Sequence, residues 1–387
     1  MRVLHVIPYM SPFYGGPPAV VYQMASCLGK SGLEVDIVTT TAHGEFELDI
    51  STVNPSLFNN ARCFYFSRQG PKSLIFSWRL CRWLYQHIKL YDVIHIHGLF
   101  SYTTLVACAA ARHFAKPYVI TAHGMIDPWC LAHKFWKKKP YYFLFERFNL
   151  KRASAVHVTS SFEALGVTKL GLVSNSVIIP LSVRLPKRFK VDFPEKRELS
   201  LLFLSRLDPI KGLPVLFQAL VLVRKSRTIK VTLRIAGQGS DEYLLLLQTM
   251  AKEMEISEDV VFCGFQDGES KTRLFDQADI FVLPSHHENF SLATAEAMAA
   301  GLPVIVTDHV GISQEIADAA AGIVVPANSS SALADAIEKL ADADFRRTAG
   351  ENARRLVKEK FSEEKFGAAL LNLYEGVLIN ASVSKAS

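Results

Sequence analysis

Two carboxylates in this sequence stand where they could bind a neutral polyol. Glu288 and Glu296 flank the start of a predicted helix in DIFVLPSHHENFSLATAEAMAAG, residues 279–301. An ionised carboxylate accepts hydrogen bonds from vicinal hydroxyls, and eight positions span little more than two helical turns, so both side chains can face one side of the helix start. The alternative is that Glu288 is a loop charge and Glu296 a solvated helix residue.

Two cations point to an anionic ligand in the same half of the chain. In LSRLDPIKGLPVLFQAL, Arg206 ends a predicted strand and Lys211 is predicted to lie at the start of the following helix. A cation at a helix amino terminus opposes the helix dipole at a cost of about 0.3–1 kcal/mol. A pyrophosphate between Arg206, Lys211 and the helix start near Ser291 removes that conflict. Simple solvated charge is the alternative.

Weaker signals lie at other predicted strand ends. Gly15 and Gly16 in SPFYGGPPAV allow close backbone approach to a ligand, and Gly237 in IAGQGS follows a strand. His123 in YVITAHGMIDPW directly follows another strand. His95 and His97 end a further strand and are interpreted as structural, hydrogen-bonded histidines.

The elements that position these residues are short apolar strands alternating with helical segments. The run 280–283 predicts a buried strand ending at Pro284, and the helix after it stops at Gly301, which fits the position just past a helix end. The predicted strands of the first half are 3–7, 35–39, 92–97, 118–121, 155–159 and 177–179. Those of the second half are 201–204, 231–236, 260–263, 280–283, 303–307 and 323–325. This alternation is typical of parallel sheets covered by helices. The charged stretch SVRLPKRFKVDFPEKRELS between the halves is predicted to be a linker.

Composition narrows the class of protein. A length of 387 residues exceeds the ~250–300 at which one hydrophobic core usually splits, so two domains are expected. Residues 1–184 carry 19 Lys and Arg against 9 Asp and Glu, a net +10, whereas the remainder carries −4. No nucleic-acid module accompanies that charge, no stretch approaches the ~20 apolar residues of a membrane span, and the amino terminus does not predict a signal peptide. The six scattered cysteines predict reduced thiols and a cytoplasmic location.

The stretch 279–301, with LPVIVTDHVGISQEI after it, strongly resembles the donor-site signature of retaining glycosyltransferases of family 4, of the exopolysaccharide-biosynthesis type. The resemblance covers essentially the whole chain and implies the α/β GT-B fold, with two Rossmann-like domains facing each other across a cleft. An acceptor-side domain is expected over residues 1–184, with a helix of about residues 367–387 crossing back to it. A nucleotide-sugar-binding domain is expected over residues 185–366.

The resemblance also implies roles for particular residues. Glu288 would contact the transferred sugar, Glu296 the nucleotide ribose, and His123 would lie beside that sugar. Arg206 and Lys211 would hold the diphosphate and, with His123 and Glu288, form the catalytic set. The remaining predicted donor-binding residues are Gly15, Gly16, Gly237, Phe265, Gln266, Asn289, Phe290, Ser291 and Leu292. Asn289 and Ser291 depart from the family pattern, which often has Gly at both positions.

The expected function is retaining transfer of a hexose, with glucose the leading choice, from a UDP-sugar to a saccharide or lipid-linked oligosaccharide. No cofactor and no metal are expected, because the one Asp-x-Asp pattern, at 342–344, lies in a polar helical region. The alternatives are a non-hydrolysing UDP-sugar epimerase of GT-B architecture and a nucleotide-sugar-binding protein without turnover. Residues 133–152, HKFWKKKPYYFLFERFNLKR, interleave lysines and arginines with aromatics. They predict either a core helix with a solvated basic face or peripheral contact with the anionic inner face of the plasma membrane.

Overall fold

The computed structural model describes residues 1–58, 61–70, 75–125, 139–171, 176–195 and 197–386. The chain divides into two compact units. Unit 1 comprises Met1–Leu181 and Glu363–Ser387, and unit 2 comprises Ser182–Ser362. These divisions lie a few residues from the predicted ones, and each unit has its own parallel sheet.

Eight strands form the sheet of unit 1 within the described residues, and two more form a separate antiparallel pair. The strands of unit 1 are β1 (Arg2–Tyr9), β2 (Glu34–Thr40), β3 (Ala42–His43), β4 (Phe46–Glu47), β5 (Ser56–Phe58), β6 (Ala61–Phe66), β7 (Val93–His97), β8 (Tyr118–Thr121), β9 (Ala155–Val158) and β10 (Ser176–Ile178). The sheet order is β10-β9-β8-β7-β1-β2-β6-β5, and β3 pairs only with β4. Only the β5–β6 pair of the large sheet is antiparallel. The central strands β1 and β7 are buried almost throughout, as expected for parallel strands with both faces covered.

Helices cover this sheet. They are α1 (Gly16–Lys30), α2 (Trp78–His87), α3 (Tyr102–His113), α4 (Arg147–Arg152), α5 (Ser161–Lys169) and the C-terminal helix (Glu363–Ala386). Two 3₁₀ turns, Pro12–Tyr14 and Ile88–Leu90, and a π-helical segment, Tyr142–Glu146, complete the described unit. Helix α1 begins at Gly16, three residues before the predicted start near Ala19, because Pro17 and Pro18 fit a first helical turn that needs no N–H donors.

Six strands form the sheet of unit 2 among the residues described. They are β11 (Glu198–Leu204), β12 (Lys230–Ala236), β13 (Val260–Gly264), β14 (Ile280–Leu283), β15 (Val304–Thr307) and β16 (Gly322–Val325). The order is β13-β12-β11-β14-β15-β16, with every pair parallel. The helices are α6 (Leu213–Ser226), α7 (Asp241–Glu253), α8 (Gly268–Gln277), α9 (Leu292–Ala299), α10 (Ser313–Asp318), α11 (Ser330–Lys339) and α12 (Ala343–Lys360), with a 3₁₀ turn at Pro209–Lys211.

Each sheet has one point where the strand order reverses. In unit 1 the chain builds outward from β1 through β2, then returns to place β7 on the other side of β1. In unit 2 it builds outward from β11 through β12 and β13, then places β14 on the other side of β11. Open α/β sheets bind ligands outside the carboxyl ends of the strands at such a switch point. A ligand site is therefore expected in the loops that follow β1, β7, β11 and β14.

The prediction that SVRLPKRFKVDFPEKRELS is a linker between the two halves is wrong, because this stretch packs against unit 2. Unit 2 begins at Ser182, and Phe193 in this stretch is fully buried. The Lys190 ammonium pairs with the buried Asp279 carboxylate at 2.9 Å. The Arg346 guanidinium donates to the Pro194 carbonyl at 2.8 Å. Scattered charge without periodicity resembles a linker in sequence, but here the charges find partners on unit 2.

The C-terminal helix corrects the expectation that no stretch approaches a membrane span. Residues Glu363–Val383 are, by length and composition, able to cross a membrane, with a mean hydropathy of 1.3. The buried side chains include Phe366, Leu370, Tyr374 and Val377, which recur on one helical face. A core helix passes the same test, so this is weak evidence for a span.

Candidate functional site

An ion pair lies at the switch point of unit 2. Lys211 follows β11, Glu288 follows β14, and the ammonium donates to a carboxylate oxygen of Glu288. Lys211 is 8% exposed, so its charge needs a partner close by. The backbone of Glu288 is held on both sides, because its N–H donates to His309 and its carbonyl accepts from Gly311. The structure thus brings together two predicted site residues that the sequence assigned to different parts of a ligand.

Glycines let the loops of unit 2 meet this closely. Gly212 has a φ of 72°, and a Cβ there would lie 2.0 Å from the Pro284 carbonyl oxygen. At Gly237, a Cβ would lie 1.8 Å from the Ser205 carbonyl oxygen. The positive φ at Gly212 also prevents the helix from beginning before Leu213. Lys211 ends a 3₁₀ turn and α6 begins at Leu213, so Lys211 is not at the helix start as predicted.

The amino end of α9 opens beside Glu288. Ser291 caps the helix, and its hydroxyl accepts from the Thr294 N–H at 3.3 Å. Ser291 has a φ of 74°, a conformation that favours glycine, which explains physically why the resembled family often has Gly there. The first N–H groups of a helix lack partners within it, which makes this end suited to an anion. The helix ends as predicted, with Gly301 just past it at a φ of 85°.

Glu296 has a partner that the sequence did not reveal. The Lys271 ammonium, on α8, donates to a Glu296 carboxylate oxygen at 2.7 Å. Both side chains are about one-third exposed, so the pair is open to exchange with a ligand. The two predicted carboxylates therefore hold two different cations.

The other predicted donor residues of unit 2 surround this edge of the sheet. Arg206 lies two residues after β11, exposed and without an ion pair in the described part of the chain. Phe265, just after β13, is 59% exposed, and the Gln266 side chain donates to the Cys263 carbonyl at 2.6 Å. Phe290 is buried against Phe361, with ring centroids 5.4 Å apart. Asn289 and Leu292 are half-buried. Their roles toward a donor remain predictions.

The glycine loop of unit 1 lies at the other switch point. Gly15, with a φ of 81°, is the residue before α1, and Gly16 is the first residue of that helix. Neither position has an atom within 4 Å of where a Cβ would stand. The backbone is thus open to a ligand at the amino end of α1.

His123 lies in the turn that follows β8 and belongs to a group of five histidines. His5, His95, His97 and His157 are fully buried on β1, β7 and β9. The Nδ1 of His97 lies 3.2 Å from the Nε2 of His123, and the Nδ1 of His5 lies 2.8 Å from the Nε2 of His97. Burial lowers the pKa of His5 and of His123 to about 3, and that of His157 to about 4. The pKa values of His95 and His97 also lie well below the usual range because of burial.

A metal ion does not fit this group as it stands. The imidazole nitrogens of His5, His95 and His97 lie within 4.8 Å of one another. However, the His95 nitrogens already face the Tyr374 hydroxyl and the Thr121 hydroxyl, each at 2.6 Å. The facing nitrogens of His5 and His97 are hydrogen-bonded to each other. The expectation of metal-independent activity remains a prediction, and Asp342 of the Asp-x-Asp pattern caps α12.

A mostly apolar cavity of about 340 Å³ lies at the switch point of unit 1. Its lining comes chiefly from the end of β1, the loop after β7 and the start of α3. The lining residues are Pro8, Tyr9, Ile75, Phe76, Gly98, Leu99, Phe100, Ser101, Tyr102, Leu105, Met125 and Tyr141. The cavity is a candidate binding space that the motifs did not predict.

Glu163 is a further residue of this region that the sequence motifs did not indicate. It is buried, and its carboxylate accepts from the Gly124 N–H at 2.7 Å and from the Thr159 N–H at 2.8 Å. It thereby fixes the turn that carries His123. The signal was visible, since Ser160 and Glu163 have the S-x-x-E spacing of a helix start, and the Ser160 hydroxyl caps α5.

The basic aromatic segment is described only from residue 139 onward, so residues 133–138 lie outside the described part. In the described part, Phe143, Leu144, Phe145 and Phe148 are between 38% and 69% exposed. Tyr142, Glu146, Asn149 and Leu150 are buried instead. The core-helix interpretation is therefore wrong for most of the aromatic rings described here.

Two family models match this chain. The model for glycosyl transferases group 1 matches residues 184–356, and the model for the glycosyl transferase 4-like domain matches residues 15–182. Together they cover most of both units.

Curated relatives align with nearly all of the chain. The O-antigen chain mannosyltransferase C of Escherichia coli is 27% identical over 397 residues, covering 99% of this chain and all of that protein. The phosphatidyl-myo-inositol mannosyltransferase of Mycobacterium leprae is 26% identical over 405 residues, covering 99% of this chain and 98% of the relative.

Solved structures share the fold over the same extent. Sucrose-phosphate synthase from Thermosynechococcus elongatus superposes with a TM-score of 0.77 and 21% identity, covering both chains completely. HepE from Anabaena, in complex with UDP and glucose, superposes with a TM-score of 0.75 and 17% identity, covering 96% of this chain and 98% of its own. The predicted fold class is thereby confirmed. The protein is a glycosyltransferase with the GT-B fold, in which a glycosyl transferase 4-like domain precedes a group 1 domain.

Proposed function

We propose that this glycosyltransferase transfers a hexose, with retention of configuration and without a metal ion, from a UDP-sugar to a saccharide acceptor in exopolysaccharide assembly. The observation that carries the proposal is the Lys211–Glu288 pair at the switch point of unit 2, next to the amino end of α9. A largely buried ion pair is weak evidence for stability, because desolvation offsets its attraction. A cation and a carboxylate held there are better explained by a ligand with an anionic and a polyol part.

The charges suit the chemistry of the donor. When the bond between the sugar and the diphosphate breaks, negative charge grows on the leaving diphosphate. Lys211, Arg206 and the amino end of α9 would stabilise that charge, and preorganised groups of this kind usually supply the largest share of catalysis. We infer that the Glu288 carboxylate accepts from sugar hydroxyls and Glu296 from the ribose. The acceptor would attack on the leaving-group face, with the phosphate taking its proton.

UDP-glucose is the donor that we favour first. HepE, which shares the fold, has been solved in complex with UDP-glucose. A mannosyl donor is the specific rival, since two relatives aligned over 99% of this chain are mannosyltransferases. The acceptor is assigned to unit 1, where the cavity of about 340 Å³ offers apolar and tyrosine surfaces to a saccharide or to its lipid carrier.

We further propose that unit 1 contacts an anionic membrane at the cytoplasmic face. Support comes from the exposed rings Phe143, Phe145 and Phe148 beside Arg147 and Lys151. Aromatic rings sit well at headgroup level, and each nearby Lys or Arg contributes ~1 kcal/mol on an anionic surface. A lipid-linked acceptor would then be reached at the membrane.

The test is a screen of radiolabelled UDP- and GDP-linked hexoses against saccharide and lipid-linked acceptors, with and without EDTA. Label should pass to an acceptor from a UDP-hexose, with retained configuration, and EDTA should not abolish transfer. Loss of activity restored by Mn²⁺ would overturn metal independence. Incubation without acceptor separates the rivals, since an epimerised sugar would indicate the epimerase, and binding without turnover the binding protein.

A further inference from the structure

Three histidines of unit 1 form one hydrogen-bonded row, His5–His97–His123. Their ring centroids are 5.1 Å and 5.3 Å apart, and the ring planes differ by 17° and 30°. The facing nitrogens are 2.8 Å and 3.2 Å apart. Each centroid separation is about equal to the distance between the facing nitrogens plus two ring half-widths. The rings meet edge to edge, nitrogen facing nitrogen, rather than lying one over another.

Only two proton arrangements satisfy such a row. His5 and His97 are fully buried and His123 is half-buried. Desolvation lowers the pKa of each imidazole far below neutrality, so all three are neutral. A neutral imidazole has one N–H and one bare nitrogen. If His5 donates from Nδ1, then His97 must donate from Nδ1 and His123 must accept at Nε2. If the row runs the other way, all three protons lie on Nε2.

The buried end of the row distinguishes these arrangements. The Nε2 of His5 is buried and has no hydrogen-bond partner within the described structure. A proton there would be a buried N–H without an acceptor, and among backbone groups such orphaned donors are rarer than under-satisfied acceptors. The arrangement with protons on Nδ1 leaves only a bare nitrogen at that end. The buried Nε2 of His5 therefore favours the arrangement in which all three protons lie on Nδ1.

We propose that the row holds His123 as the Nδ1–H tautomer, so that His123 accepts from His97 and presents a fixed N–H donor to a hydroxyl of the bound sugar. His5 and His97 are then positioning residues that act through His123. The sugar contact rests on the proposed function, whereas the tautomer does not. The turn that carries the ring is held in place, since His123 has a φ of 52° and the Glu163 carboxylate accepts from the N–H of Gly124.

A fixed donor differs in effect from a free imidazole. The ring of an unconstrained histidine exchanges its donor and acceptor nitrogens by a ring flip or by a change of tautomer. Only a fraction of the molecules then presents an N–H to a hydroxyl of the substrate. A donor set in advance costs no reorganisation when the substrate arrives.

The first experiment reads the tautomer directly in the full chain. Long-range ¹H–¹⁵N spectra of protein labelled at histidine ring nitrogens distinguish protonated from bare nitrogens, and the variants His5→Phe, His97→Leu and His123→Asn assign the signals. Neutral Nδ1–H forms of all three residues are expected near pH 7.5. An Nε2-protonated His123 in the wild-type protein would overturn the proposal, and folding of the His123→Asn variant alone suffices to assign that signal.

The second experiment asks if His97 acts through His123. His97→Leu should lower kcat about tenfold, the worth of one hydrogen bond, with little change in the donor KM. In the His123→Asn background the same substitution should have no further effect. His157→Leu is the matched control, because His157 is equally buried in the same sheet but lies outside the row, and its effect should multiply with that of His123→Asn. Effects of His97 and His123 that simply multiply would contradict the proposal. A protein with the predicted tautomer but no sugar transfer would refute the proposed function alone.

Discussion

At the switch point of unit 2 the groups that meet are charged, whereas those at the switch point of unit 1 are neutral. Lys211 and Glu288 form an ion pair after β11 and β14. His5, His97 and His123 form a row of uncharged imidazoles beginning on β1 and β7. The same βαβ topology therefore supports two kinds of polar centre. A pair of charges suits a ligand that gains charge as it reacts, and an ordered row of neutral donors suits hydroxyls that do not.

The largest expected effect tests the charged centre. Arg206→Ala and Lys211→Ala should each lower kcat/KM by about 10²–10³, the usual worth of one donor at a developing anion. Steady-state kinetics with the identified donor measures it. Lys230→Ala is the control, because Lys230 is exposed at the amino end of β12 in the same sheet. If kcat/KM of both test variants lies within a few-fold of the wild-type value, the assignment of the diphosphate to this site is wrong.

The second prediction contrasts the surfaces of the two units. Changing Lys137, Lys138 and Lys139 together to Ser should weaken binding to anionic liposomes about a hundredfold, at ~1 kcal/mol per lysine. Binding should need anionic lipid and fall with salt in co-sedimentation. The charge-matched control changes Arg224, Arg227 and Lys230, exposed on unit 2, to Ser. Equal recovery from neutral and anionic liposomes would refute membrane contact.

The third prediction separates the two carboxylates of unit 2. Glu296→Ala should weaken free UDP binding by tenfold or more, because a hydrogen bond to a charged group is worth about 1.5–3 kcal/mol. Glu288→Ala should change UDP binding much less, since its proposed partner is the sugar. Calorimetry with UDP measures both, with Glu269→Ala as an exposed control on α8. Equal losses, or the reverse order, would contradict the assignment.

The last prediction concerns the neutral centre. Histidines held neutral with pKa values of about 3 to 4 bind fewer protons when folded than when unfolded between those values and about 6.5. Their contribution to stability is therefore complete above pH 6.5 and is lost as the pH falls toward 3. Buried Glu146, whose pKa burial raises, opposes this trend.

All four tryptophans belong to unit 1, so tryptophan fluorescence follows the unfolding of that unit. The urea midpoint should fall between pH 7.5 and pH 5, and His157→Gln should reduce the shift. A midpoint that rises on acidification, or a shift that His157→Gln leaves intact, would show that the histidines are not held neutral.

The sequence best predicted the parallel strands that are apolar runs buried along their whole length. The bounds of β8 and β14 were predicted to the residue. Strands β3 to β6 were missed. In β6 the exposed Arg62 interrupts the apolar pattern, and its guanidinium is held by Asp36 of β2, a contact far along the chain.

For the site, motifs in the sequence indicated Lys211, Glu288 and Glu296. They could not predict which charged side chains would form ion pairs with one another. Lys271 belongs to a helix whose exposed face resembles any solvated surface, and only the fold brings it to Glu296. His95 and His97 are buried and hydrogen-bonded, as interpreted. The row that joins His97 to His5 and His123 needs the order of the strands, which no local pattern contains.

The return of the C-terminal helix to unit 1 has a consequence for synthesis. Unit 2 is one continuous stretch, whereas unit 1 needs residues from Glu363 onward, made after all of unit 2. Domains fold largely as they emerge from the ribosome. The second unit in the sequence can therefore finish first. Until Tyr374 arrives, the Nδ1 of His95 lacks the hydroxyl that it faces in the finished sheet, so the nascent first half must wait with an unpaired imidazole at its centre.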